Sequence, residues 1–292
     1  MKKISKFQVI KFLGISFNYF ILIFMSIIIL FPLFITLMSA LNQKNSLFSV
    51  TLIPEQISLT QNFIHLSTRT SYWHWYLNTF TISIASTLGA LMLIVISGFI
   101  YSRYRFKARK PALITLLVVQ IIPPSSTLIA LYAIANSLGI YQSAYSVPLT
   151  YLFMIFIYIT TGSTINTIIM KSYFDSVPRD LDESAKIDGA SHFQIFKDIL
   201  LPLVTPMIVV LGVFTFLIPI GDVIMPRFLL ASLHSKDTTL ALGLNTLISD
   251  FKNSNPNIFA AGAILAAVPP VVIFFIFQKY IVSGLTAGGV KG

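Results

Sequence analysis

Long apolar runs separated by short polar intervals dominate the chain. A helix crossing the hydrocarbon core of a bilayer needs roughly 20 apolar residues. Six stretches meet that length: Phe17–Met38, Leu77–Tyr101, Ala112–Ala133, Tyr145–Ile169, Leu203–Gly221 and Ile258–Phe277. The pattern predicts an all-α membrane protein with six transmembrane helices. Lys2, Lys3, Lys6 and Lys11 precede the first run, as basic residues precede a signal peptide. That run is too long for a typical signal core, and Ser39-Ala40-Leu41 is a poor cleavage site, so a retained span is expected. The fourth run ends in a polar stretch containing Thr160, Thr161, Ser163, Thr164 and Asn166. Pro123-Pro124 interrupts the third run and Pro219 the fifth. Proline removes a backbone donor and kinks a helix; Gln120, one turn earlier, is placed to satisfy freed backbone groups.

The polar intervals fix an orientation. Of the 20 Lys and Arg, 15 fall in one set of intervals: the N-terminal segment, 103–110, 171–197 and the C-terminal segment. The other 5, Lys44, Arg69, Arg227, Lys236 and Lys252, fall in the alternate set. Cytoplasmic loops carry the basic excess, so both termini are expected inside. The excess of 20 basic over 10 acidic residues therefore reads as topology. A nucleic-acid footprint would cluster on one polar face, so no such partner is expected. Only 10% of residues are charged, against about a quarter in a soluble domain. Without cysteine there is no disulfide, thiolate catalysis or zinc–thiolate site. His65, His74, His192 and His234 show no metal spacing. No metal, cofactor or catalytic cluster is expected. Trp73, Trp75 and Tyr76, just before the second run, fit an interfacial aromatic belt, with a sugar-stacking platform as the sharper alternative.

The six runs contain no Asp, Glu, Lys, Arg or His; Asp222 follows the fifth. Ion-coupled carriers usually place ionisable groups or broken helices at mid-membrane. An uncharged path suits a neutral solute and leaves the energy source elsewhere. Polar side chains available to line it include Asn78, Gln120, Tyr132 and Tyr151, each of which equally suits helix–helix contact.

The cytoplasmic interval Met170–Pro202 holds six acids and is more than a connector. Pro178 suits a first helical turn, and Asp180, Asp182 and Glu183 suit the positive end of a helix. Asp182 and Lys186 are spaced to pair, and Gly189 is a stop. Ser191 and Gln194 have capping-box spacing for a second short helix ending at Leu201-Pro202. Two short helices at an angle are expected. Leu181, Ser184, Ala185 and Asp188 share one face of the first, a small-residue surface that another protein can approach closely.

Glu183-Ser184-Ala185, three residues, Gly189, nine residues, then Ile199-Leu200-Leu201-Pro202 resembles the EAA loop of permeases in ATP-binding-cassette (ABC) importers. Ser184 departs from the family's alanine, small for small. The ending Gln278–Gly292 and the stretch Gln120-Ile121-Ile122-Pro123 are similar to maltose and maltodextrin permeases of six spans. The resemblance implies a type I ABC importer permease fold in a bacterial plasma membrane. It divides the chain into an N-terminal segment with the first span and outer loop (1–72), the transmembrane domain (73–280, with the EAA loop at 176–202) and a cytoplasmic tail (281–292). It implies a second permease subunit, two ATPase subunits, an extracytoplasmic solute-binding protein and a neutral sugar cargo. Glu183, Ser184, Ala185, Asp188, Gly189, Leu201 and Pro202 would couple to an ATPase, and Gly284, Gly288, Gly289 and Gly292 would form a coupling tail. The third outer loop, around Lys252–Asn257, would meet the binding protein. Alternatives are a permease for a polyol or glycerol phosphate, and an ATP-independent secondary carrier.

Overall fold

The computed structural model describes residues 6–43, 53–54, 56–122, 124–231, 233–249 and 254–287. The elements are helical: α1 (Lys6–Leu41), α2 (Gln61–Arg69), α3 (Tyr72–Arg103), α4 (Arg109–Val119), α5 (Pro124–Ser137), α6 (Ser146–Ser176), α7 (Asp180–Ile187), α8 (His192–Gln194), a π-helical stretch Ile195–Leu200, α9 (Leu201–Gly221), α10 (Ile224–Leu229), α11 (Leu240–Ser249) and α12 (Pro256–Ala287). Among the described residues, five helical stretches are long and apolar enough to cross a membrane: Gly14–Leu41, Tyr72–Arg103, Ser146–Ser176, His192–Gly221 and Pro256–Tyr280. They contain five of the six apolar runs, apart from Tyr145, the N-cap of α6. The third run is split between α4 and α5 at the Pro123-Pro124 step, where α4 closes with turns from Gln120, Ile121 and Ile122 to carbonyls three residues back.

The chain forms two compact units. In the first, residues 1–70 and 247–265, an Asn pair ties the helix ends. Buried Asn62 donates through Nδ2 to the carbonyls of Ala40 and Asn42, each at 2.8 Å. Asn257 donates to the Asn42 carbonyl at 2.9 Å. Ala40, Ala260 and Ala261 let the backbones of α1 and α12 close on a small core with Phe63 and Ile264.

The second unit, residues 71–246 and 266–292, is built on α3, α6 and α9. Ala90, Ile94, Met170, Phe174, Leu200, Val204, Val210 and Leu211 fill one core between them. Ile82, Leu128, Met154, Tyr158, Met225 and Leu229 fill another. The polar end of α6 is satisfied within the helix. Thr160 and Thr161 donate to carbonyls of the preceding turn, Thr164 donates to Thr160 O at 2.7 Å, and Asn166 to Gly162 O at 2.7 Å. In hydrocarbon an unpaired donor costs several kcal/mol, so this back-bonding lets a hydroxyl-rich stretch lie in a span.

Trp75 departs from the belt expectation. Its neighbour Trp73 is exposed, but Trp75 is buried, packed on Gly243, with Nε1 donating to the Ser235 carbonyl at 2.8 Å.

Candidate functional site

The loop expected on the cytoplasmic side begins where α6 stops. Pro178 disfavours helical backbone in the residue before it, and Val177 is extended (φ −79°, ψ 123°). Two residues later α7 starts, with Asp180, Asp182 and Glu183 in its first turn beside the partial positive charge of the N-terminus. At the other end the N–H of Ala190 donates to Ala185 O at 2.9 Å and that of Gly189 to Lys186 O at 3.0 Å. This is a Schellman closure, and Gly189 takes the left-handed conformation it requires (φ 83°). The sharp reversal leads straight to Ser191, which accepts from Gln194 N at 3.3 Å while its own N–H donates to Gln194 Oε1 at 2.8 Å. That reciprocal cap is the one the Ser-x-x-Gln spacing predicts.

Two expectations about the loop are corrected. The second helix is not a separate short piece ending at Leu201-Pro202; it runs through a π-helical turn directly into α9. Proline at position 202 cannot donate and crowds the carbonyl one turn earlier, and widening Ile195–Leu200 to π geometry accommodates it without a break. Nor does Asp182 pair with Lys186. Asp182 is buried and takes the guanidinium of Arg103, the last residue of α3, with Nε 2.7 Å from Oδ2. Arg103 also donates to the carbonyls of Phe174 and Val177 at 3.1 Å each. A buried carboxylate gains more from a forked, desolvated guanidinium than from a solvated neighbouring ammonium.

This pairing sets which way α7 faces. Asp182 and Ala185 point inward, and Ala185 joins the core of Ile94, Phe174 and Val204. Glu183, Ser184, Asp188 and Gly189 are exposed. The predicted face of Leu181, Ser184, Ala185 and Asp188 is therefore divided, with Ala185 turned onto the chain's own core. The outward face is instead Glu183, Ser184 and Ile187, and Ile187 is 86% exposed. An isoleucine held out from a charged loop is the feature that sequence reasoning missed; its position one turn beyond Glu183 was the available signal. A cleft of about 210 Å³ beside α7 is lined by Arg103, Arg179, Asp182, Glu183, Lys186 and His192. Leu201 is half-buried against the same core as Ala185, and Pro202 is exposed at the start of α9.

The remaining candidates separate into groups. Asn78 Nδ2 donates to the carbonyls of Lys236 and Thr238 at 3.0 Å each, and Tyr151 Oη to that of Asp237 at 2.8 Å. Thr79 Oγ1 accepts from Leu240 N at 2.7 Å. These side chains clasp the segment 235–240 onto the ends of α3 and α6. Tyr132 stacks on Tyr141 (5.4 Å between ring centroids), and Gln120 is the C-terminal cap of α4. Asp222, just past α9, accepts from the N–H groups of Ile224 and Met225 and from Tyr158 Oη at 3.0 Å, so it starts α10 and ties it to α6. Gly284 lies within α12, which continues as helix to Ala287. Gly288, Gly289 and Gly292 lie outside the described residues, as do Lys252 and Asn253. Among the described residues, no group of three or more His, Asp or Glu is arranged to hold a metal ion.

Residues 90–287 match the family model described as binding-protein-dependent transport system inner membrane component. The maltodextrin transport system permease protein MdxG of Bacillus subtilis is 42% identical over 275 residues, covering 94% of this chain and 95% of that one. The galactooligosaccharides transport system permease protein GanQ of the same organism is 40% identical over 291 residues, covering 99% and 100%. A chain of a bacterial ABC transporter involved in the import of the acidic polysaccharide alginate superposes with a TM-score of 0.74 over 96% of this chain and 99% of that one. At 17% identity that likeness carries the fold. The five long apolar helices make the chain a multi-pass membrane protein, and with the matches over nearly its whole length it belongs to the family of binding-protein-dependent transport system inner membrane components.

Proposed function

We propose that this chain is one of two permease subunits of an ATP-driven importer for a neutral oligosaccharide, and that α7 is where a partner ATPase moves it. The observation that carries the proposal is the outward face of α7. Glu183, Ser184 and exposed Ile187 stand on a helix whose ends are locked by an ion pair and a Schellman closure. Ile187, 86% exposed on a helix of mostly charged and polar residues, would fit a partner's pocket. Ser184 leaves room beside it, and Glu183 offers a charge for an arginine or lysine of the partner.

The division of labour follows from chemistry. The apolar runs hold no titratable group to couple a proton or ion gradient, so the work comes from the cytoplasmic side. ATP-driven closure of two ATPase subunits would displace α7, and through α7 the helices α3, α6 and α9 packed behind it. Gly284, Gly288, Gly289 and Gly292 would extend toward the ATPase pair. The extracytoplasmic side would receive sugar from a solute-binding protein. The cargo class, maltodextrins or galacto-oligosaccharides, is the one named for relatives at 40% and 42% identity. Uncharged spans suit such a cargo better than a phosphorylated solute, which would favour a basic path.

The test is uptake into proteoliposomes holding this chain and its co-purified partners. Oligosaccharide accumulation should require internal ATP and external binding protein. Glu183→Trp should abolish uptake and reduce ATPase retention while leaving the chain in the membrane. Uptake driven by an ion gradient without ATP would refute the proposal.

A further inference from the structure

Three helix ends meet at one guanidinium. Arg103 closes α3, and its side chain is 7% exposed. Its Nε lies 2.7 Å from Asp182 Oδ2 on α7, while its two terminal nitrogens donate to Phe174 O and Val177 O. Those two carbonyls lie in the closing turn of α6, where Phe174 O also accepts the N–H of the cap residue Val177 at 3.2 Å. The cation sits at the negative ends of α3 and α6 together, where the helix dipoles favour it. A second link runs alongside. Arg179 donates to Ser102 O at 3.1 Å, and Ser102 Oγ to Asp175 Oδ1 at 2.6 Å, with Lys171 paired to the same carboxylate.

Within α7 itself the other buried side chain is Ala185, a methyl group that can slide on the core. The guanidinium is held by directional bonds to the two α6-end carbonyls and grips Asp182 as a buried ion pair, with one long hydrogen bond from Nη2 to Oδ1 at 3.5 Å, so separating the two charges is resisted. A displacement of α7 therefore loads Asp182 first, then Arg103, then the last turns of α3 and α6. We propose that Arg103 is a positioning residue for transport: the strut through which movement of α7 reaches both helices. The claim rests on α7 being the docking point of an ATPase.

The experiment uses the assembled transporter in proteoliposomes and measures sugar taken up per ATP hydrolysed, with ATPase retention measured on the same preparation. Arg103→Lys keeps the charge but gives up the fork. Asp182→Asn keeps the shape but gives up the charge, and Asp182→Glu keeps the charge. Complexes of Arg103→Lys and Asp182→Asn should retain their ATPase and hydrolyse ATP, with uptake per ATP down about tenfold. Asp182→Glu should recover most of the ratio. An unchanged ratio in Arg103→Lys and Asp182→Asn complexes that retain their ATPase overturns the strut and leaves the docking intact. Uptake and hydrolysis falling in proportion marks a merely structural pair and also overturns it. No ATPase on the unsubstituted complex defeats the docking reading and the strut with it.

Discussion

Replacing Gly189 separates backbone geometry from side-chain volume at the end of α7. The residue sits at φ 83°, and a Cβ built there meets no heavy atom within 4 Å. A substitution is therefore penalised by conformation and not by collision inside this chain. An L-residue held in the left-handed region costs about 1–2 kcal/mol, with Asn tolerated better than Ala and a β-branched residue worst. A cost of that size is roughly a 5–30-fold change in an equilibrium. Relief of the strain would open the Ala190–Ala185 and Gly189–Lys186 bonds and fray the last turn of α7, where Asp188 and Ile187 sit. Transport rates should fall in the order Gly, Asn, Ala, Val, with Ala several-fold below Gly. Hydrogen exchange at Gly189 and Ala190 should rise in the same order. If Ala and Val transport as well as Gly, the conformation at 189 does not matter. If Asn and Ala are equally impaired, the restriction is volume against a partner and the backbone argument fails.

A Cβ at 243 would lie 2.2 Å from the Trp75 ring, so Gly243→Leu should overpack the site by about 1–3 kcal/mol. The detergent-solubilised chain should melt lower and Trp75 emission should shift to the red; unchanged melting would refute the packing. Asn78→Leu removes two bonds to the segment 235–240 and Tyr151→Phe one, each bond contributing about 1 kcal/mol. Amide exchange at Lys236–Leu240 should accelerate more for the first than for the second, and equal protection in both would show the clasp to be idle. The orientation has its own check, because the chain carries no cysteine. A thiol at Lys107→Cys should label only from the cytoplasmic side and one at Lys236→Cys only from outside, and a reversed pattern would overturn the topology.

The helical skeleton was legible because lipid imposes a period-free signal: roughly 20 apolar residues per crossing. Each of five runs falls within a long helix apart from Tyr145, which caps α6; several helices overrun them, as α3 does from Tyr72 to Arg103. The Pro123-Pro124 break was legible too, since proline's missing donor acts locally. So were the Gly189 stop and the Ser191 cap, whose partners lie within five residues. What stayed hidden was long-range. Asp182 finds Arg103 across 79 positions, and a neighbour-based rule assigned it to Lys186 instead. Asn78 and Tyr151 bind backbone carbonyls of a distant segment, and a carbonyl leaves no mark in a sequence. Trp75 looked like a belt residue because its partner, Gly243, is defined by having no side chain. The helix face of α7 failed for the same reason: a small residue such as Ala185 suits a partner's surface and the chain's own core equally well.

Single-thiol cross-linking at α7 tests the central claim most directly. Ser184→Cys, on the outward face, would be the chain's sole thiol. Treated with a short cross-linker in its native membrane, it should couple to an ATPase subunit in high yield, and Ile187→Cys likewise. A control thiol at Ala185→Cys, buried on the chain's own core, should not couple. Efficient coupling at positions 184 and 187 but not 185 is the predicted result. Transport-competent membranes in which neither thiol reaches an ATPase would contradict the account.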